Sequence, residues 1–109
     1  MSVPFVRAAK VAAVAPGTAI VVRAGRYEVA IFNAGGALVA FENVCPHQGG
    51  PIGEGFIDGT TVTCPWHAWC FDLRTGSLTM GDFARLTRFD VRVDGDTVFV
   101  SSEPSQDAA

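Results

Sequence analysis

The sequence predicts an all-β domain, an antiparallel β-sandwich or partial barrel with a small block inserted before its last hairpin. Three observations carry that expectation. Short runs of β-branched and aromatic residues recur along the chain. Glycine and asparagine turn signals separate them at close spacing. No stretch shows a convincing apolar period of a helix. Ala8 to Ala15 is rich in alanine, but it is short, lacks a cap and runs into Pro16.

The elements follow in order. Phe5–Ala8 reads as a first strand, and Pro16-Gly17 turns the chain. Ala19–Arg23 is apolar and β-branched, and Gly25-Arg26 punctuates it. Tyr27–Phe32 alternates polar and apolar positions. Asn33-Ala34-Gly35-Gly36 is a hairpin signal, with Ala37–Phe41 as the return strand. Beyond the inserted block, Arg88–Val93 has the two-residue period of a strand with one buried face. Asp94-Gly95 turns it into Thr97–Val100. The block itself, about 43–83, carries short strands at Thr60–Thr63 and Trp69–Asp72 before a turn at Thr75-Gly76. A single domain is expected over 1–101, with a disordered polar tail over 102–109.

Bulk properties narrow the function. At 109 residues and 49% hydrophobic content, the chain is one domain with material for a core. Its net charge of −3 and the lack of a basic run argue against nucleic acid. No apolar stretch is long enough for a bilayer, and the N-terminus has no secretory pattern. A soluble, cytoplasmic protein that meets protein partners is expected, with no membrane contact. Three cysteines, two of them beside histidines, suggest metal binding rather than disulfides.

The chemistry concentrates between Cys45 and Asp72. Cys45-Pro46-His47 is followed by sixteen residues and then by Cys64-Pro65-Trp66-His67. Each arm offers one thiolate and one imidazole, both good ligands for a transition metal. The only two histidines of the chain both stand in these arms. Gly49, Gly50, Gly53 and Gly55 would let backbone approach a bulky inorganic group and aim N–H groups at it. A zinc-stabilised β interaction module could use the same four ligands, although zinc usually takes a cysteine pair followed by a histidine pair.

Cys45-x-His47-x16-Cys64-x2-His67 resembles the Rieske [2Fe–2S] motif. The resemblance continues through Pro51–Gly55 and Phe71–Gly76. It implies one [2Fe–2S] cluster, with Cys45 and Cys64 on one iron and His47 and His67 on the other. It also implies the Rieske-like fold, with the inserted block as the cluster-binding subdomain. Both histidines are then used, and no length remains for an oxygen-activating domain. The chain is therefore expected to be a non-enzymatic, one-electron carrier. It would take electrons from a flavin- and NAD(P)H-dependent reductase and pass them to a terminal, aromatic-ring-hydroxylating oxygenase. The small subunit of an assimilatory nitrite reductase is an alternative within the same fold.

Departures from high-potential relatives set the expected redox class. Gly50 and Trp66 stand where those proteins have a bridging cysteine pair. Trp69 and Phe71 stand where they have hydroxyl donors to the cluster. The low end of the Rieske range, about −150 mV, is expected. Trp66 reads as a docking anchor or a lid, and Trp69 as a packing residue. Ala68 replaces a usual glycine, Met80–Phe83 replaces a proline-containing covering loop, and Cys70 reads as a buried small hydrophobe.

Overall fold

The computed structural model describes residues 4–45, 50–65, 69–79 and 84–105. Within them the chain forms β1 (Phe5–Lys10), β2 (Ala19–Ala24), β3 (Tyr27–Ala34), β4 (Ala37–Glu42), β5 (Phe56–Asp58), β6 (Thr61–Thr63), β7 (Cys70–Asp72), β8 (Arg88–Asp94) and β9 (Thr97–Pro104). Two 3₁₀ turns, Val11–Ala13 and Ile52–Glu54, are the helical segments among the described residues. The all-β expectation holds.

Turn chemistry sets the hairpins. Between β3 and β4 the two loop residues Gly35 and Gly36 both adopt positive φ, +65° and +102°. Such a two-residue loop matches the twist of the flanking strands. The Asn33 side chain locks it by accepting a hydrogen bond from the Gly36 amide at 2.8 Å, while its Nδ2 donates to the Val14 carbonyl at 2.8 Å. Asn33 is buried, so both bonds matter: an unmet amide there would cost about 1–3 kcal/mol.

Six strands make the main antiparallel sheet in the order β1-β9-β8-β4-β3-β2, and three make a small sheet in the order β5-β6-β7. The edge strands β1 and β2 approach each other, so the main sheet is nearly closed. One buried cluster fills its interior, with Val14, Val29, Ile31, Ala40, Phe89, Val98 and Val100. A second lies between the main sheet and the inserted block, with Ala30, Phe32, Phe41, Ile52, Val62, Phe71 and Leu73. Successive residues of β3 feed the two clusters alternately, as a two-residue period requires. This is why Val29–Ala34 is buried throughout rather than on one face.

Three sequence expectations are corrected. β5 was not anticipated; it pairs Phe56 with Thr63 and Asp58 with Thr61. The tail begins later than Ser102, because β9 runs on to Pro104 and Ser105 is buried. The Ser105 amide donates to the Arg88 carbonyl at 2.7 Å, and its hydroxyl to Asp90 Oδ1 at 3.0 Å. The Ser101 hydroxyl accepts from the Asp90 amide at 3.0 Å across a bulge in the β8–β9 pairing. Small polar residues here satisfy backbone groups rather than signalling disorder; residues 106–109 lie outside the described ones. Finally, β1 extends to Lys10, and the alanine-rich segment after it makes a single 3₁₀ turn.

Candidate metal centre

Two of the four predicted ligands, Cys45 and Cys64, are described. Both are buried, to 1% and 2% exposure. Both belong to the cluster between the sheets, with Ile52, Val62, Phe71 and Leu73 around them. His47 and His67 lie outside the described residues, as do Gly49, Trp66, Ala68 and Met80–Phe83. Among the described residues no three histidine, cysteine, aspartate or glutamate side chains converge.

Each thiol stands at the mouth of a loop, and the two mouths are closed alike. The Cys45 amide donates to the Gly50 carbonyl at 2.7 Å, and the Cys64 amide to the Trp69 carbonyl at 2.7 Å. In both cases the bond spans five positions. Each loop then contains one of the chain's histidines. The flanks differ. The second loop is the tip of the β6–β7 hairpin, where Thr63 pairs with Cys70, Val62 with Phe71 and Thr61 with Asp72. The first loop leaves the main sheet after Glu42 and lands through the 3₁₀ turn Ile52–Glu54.

That landing depends on Asn43, a residue the sequence reading passed over. Its Oδ1 accepts from the Gly53 amide at 2.6 Å, and its Nδ2 donates to Glu28 Oε1 at 2.9 Å. Its own amide donates to the Glu28 carbonyl at 2.8 Å. A polar residue two places before a predicted ligand cysteine was the available signal, but its partners are distant in sequence.

Gly53 and Gly55 serve packing, not the approach to an inorganic group. A Cβ at Gly53 would stand 2.8 Å from Val21 Cγ2, 2.9 Å from Asn43 Oδ1 and 3.0 Å from Ala30 Cβ. One at Gly55 would collide with the Thr63 carbonyl oxygen. Their amides are also taken, by Asn43 and by the Ile52 carbonyl. Hence these two glycines seat the first loop against β2, β3 and β6.

The remaining predicted neighbours sit as follows. Phe71 is fully buried, and Trp69 packs at the cluster's margin with its ring 6.5 Å from that of Phe71. This agrees with a packing role for Trp69. Neither side chain carries a hydroxyl. Cys70 is half-buried rather than buried, with its sulfur 3.3 Å from Thr63 Oγ1. It lies on the outward face of β7, away from the core. Asp72 closes the turn after β7: its Oδ1 accepts from the Arg74 amide at 2.9 Å and its Oδ2 from Arg74 Nη2 at 2.9 Å. These hydrogen bonds hold the Asp72 carboxyl below its ordinary range.

The donor chemistry fits an iron–sulfur cluster. Two cysteine sulfurs buried among apolar side chains suit a soft, thiolate-binding metal group. The irons of such a cluster would be held by these sulfurs, and the two loop mouths fix where each sulfur enters.

Residues 4–102 match the family model of the Rieske [2Fe-2S] domain. The chain is 36% identical over 80 residues to the 3-phenylpropionate/cinnamic acid dioxygenase ferredoxin subunit of Shigella boydii serotype 4 (strain Sb227), covering 72% of this chain and 76% of that one. A chain in the complex of reduced oxygenase and oxidized ferredoxin in carbazole 1,9a-dioxygenase superposes with a TM-score of 0.85 at 28% identity, covering 94% of this chain and 97% of that one. The ferredoxin of carbazole 1,9a-dioxygenase from Nocardioides aromaticivorans IC177 gives 0.82 at 28% identity, over 89% and 96%.

Proposed function

We propose that this chain, which belongs to the Rieske [2Fe-2S] domain family, carries single electrons from a flavin- and NAD(P)H-dependent reductase to a terminal, aromatic-ring-hydroxylating oxygenase. Its cofactor is one Rieske-type [2Fe–2S] cluster, which supplies a one-electron couple when bound. The chain is an electron-transfer component and not itself a catalyst. The observation that carries the reading is the pair of buried thiols at two like-closed loop mouths, one histidine in each loop. Cys45 and Cys64 would hold one iron; His47 and His67 would hold the other.

The residues of this chain act on the electron by excluding water and withholding donors. Phe71 and Trp69 stand at the sequence positions where high-potential relatives carry hydroxyl donors, and neither would offer the reduced state that hydrogen bond. A midpoint near about −150 mV is expected. One domain, with 43–83 as its cluster-bearing part, serves this role. No helix among the described residues is long and apolar enough to cross a membrane. A low cysteine count, with two of the three proposed to hold iron, supports a reducing, cytoplasmic setting.

The test is direct. The anaerobically purified protein should show the visible and EPR spectra of a histidine-ligated cluster, with voltammetry at the low end of the range. His67→Ala and Cys64→Ser should each remove the cluster. Unchanged cluster content and midpoint in His67→Ala would sink the ligand assignment, and a midpoint above roughly +100 mV would sink the redox class. The reductase and oxygenase of a 3-phenylpropionate dioxygenase system then provide a turnover assay.

A further inference from the structure

We infer that Asn43, braced by Glu28, is the positioning residue of the first ligand loop. It does through one side-chain amide what the β6–β7 ladder does for the second loop. The inference rests on Cys45 and His47 being ligands, as proposed above.

Consider what restrains each loop outside its own mouth. Past the Cys64–Trp69 bond, the second loop is held by three successive cross-strand pairs. Past the Cys45–Gly50 bond, the first loop has no ladder among the described residues. Val44 is 42% exposed, and Pro51 has no N–H to donate. The nearest link between its two flanks is Asn43 Oδ1 to the Gly53 amide, at 2.6 Å. Asn43 precedes the loop and Gly53 follows it, so this one bond closes a second ring around the ligand segment.

The amide is itself fixed from behind. Glu28 lies at the start of β3, in the main sheet. It accepts from Asn43 twice, through its carboxylate at 2.9 Å and its backbone carbonyl at 2.8 Å. Asn43 thereby transmits the position of the sheet to the far side of the loop. The side chain must have both a donor and an acceptor, which selects asparagine over aspartate. Its burial, at 7% exposure, protects these bonds from water. Gly53 completes the fit, because any side chain there would push the turn off Val21, Ala30 and Asn43 itself.

A loop held this way keeps its thiolate and imidazole in place when the cluster changes charge. Removing one partner of a buried hydrogen bond shifts the local closing equilibrium by roughly five- to a hundredfold. Asn43→Ala should therefore speed cluster release to an iron chelator by up to about that factor. It should broaden the EPR lines and accelerate hydrogen exchange in the peptide containing Gly53. Asn43→Asp keeps the acceptor for Gly53 but faces Glu28 with a like charge, so it should fall between. Glu28→Gln, which preserves the acceptor, should behave as wild type; Glu28→Ala should shift the same readouts in the direction of Asn43→Ala. Glu28 is exposed, so the Glu28 variants test the clamp even if Asn43→Ala folds poorly.

The proposal is overturned if folded Asn43→Ala or Asn43→Asp loses only thermal stability while release rate, EPR line shape and exchange stay at wild-type values. It is equally overturned if Glu28→Ala leaves all three unchanged. Cys45→Ser, measured alongside, tests the ligand reading separately: retention of a native cluster there removes the premise without reference to Asn43.

Discussion

The two loops proposed to carry the ligands have mouths closed alike but braced by different routes. Their mouths are alike: a buried cysteine, an amide-to-carbonyl bond of 2.7 Å and a span of five positions. The second loop inherits its mouth from a local hairpin, three residues of β6 against three of β7. The first depends on residues 28, 43 and 53, brought together by the fold. A hairpin tip is set by contacts close in sequence, and it forms whenever its strands pair. A clamp across distant residues forms only once the main sheet exists. Damage to the core should therefore reach both loops, whereas damage to the clamp should reach one.

The largest expected effect comes from the shared core. Phe71 is fully buried in β7, beside the second loop's mouth and within the cluster that holds both thiols. Phe71→Ala should cost about 3–5 kcal/mol in urea unfolding and reduce cluster content. The contrast is Phe56 in β5, which is 71% exposed. Phe56→Ala should lie within about 0.5 kcal/mol of wild type. Equal losses in the two variants would mean that the small sheet is not seated on the main sheet as described.

Next comes Gly53→Ala, which strikes only the first loop. The added methyl meets Val21, Ala30 and Asn43 at 2.8–3.0 Å. Overpacking of this kind costs about 1–3 kcal/mol. Hydrogen exchange should rise around Gly53 but not across β6 and β7. Exchange that rises equally in both regions would show that the loops are held by one device and not two.

The difference between the loops also explains what was legible in the sequence. The hairpins at Asn33–Gly36 and Asp94–Gly95 announce themselves, because their turns need residues that tolerate positive φ. Trp69–Asp72 was readable as a strand for the same local reason. The family was readable because cysteine and histidine in that spacing have few other uses. β5 was hidden, since Phe56-Ile57-Asp58 is short and sits among glycines that seemed committed to the site. Gly53 and Gly55 were misread in consequence: their small size answers Val21, Ala30 and the Thr63 carbonyl, all set by tertiary packing. Asn43 was invisible because neither partner is a neighbour in sequence. The tail was misjudged because Ser101 and Ser105 look like solvent-facing residues until their backbone partners at 88–90 are known.

A smaller effect is expected at Cys70, which pairs with Thr63 just outside the second mouth. Its sulfur faces Thr63 Oγ1 on the half-exposed side of the sheet, not the buried side that holds Cys64. Cys70→Ala should change stability by under about 1 kcal/mol and leave cluster content and midpoint untouched. A shifted midpoint would mean that the outward face of the hairpin communicates with the cluster, even though Cys64 lies on the buried face.

The smallest effect belongs to the turn that ends the hairpin, and it is visible through pH. The Asp72 carboxyl is held below its ordinary range, first by the Arg74 side chain and then by the Arg74 amide. A carboxyl lowered in the folded state binds fewer protons there than in the unfolded chain, so its contribution rises with pH. That contribution is fully present above the ordinary aspartate range and is lost as pH falls through the lowered value. The Arg74 side chain is mostly exposed, at 71%, so solvent screens the pair and the contribution is small. Asp72→Asn keeps an acceptor for the Arg74 amide but removes the charge. The variant should be slightly less stable than wild type in urea at pH 7. The difference should close as both are taken below about pH 4, with cluster-free protein used so that acid acts on the fold alone. A gap that stays constant down to pH 3 would assign the turn's stability to the backbone bonds from Thr75 and Gly76 to the Asp72 carbonyl, at 3.2 and 2.6 Å. The hairpin carrying the second loop would then be held by backbone alone, in sharper contrast to a first loop held by side chains.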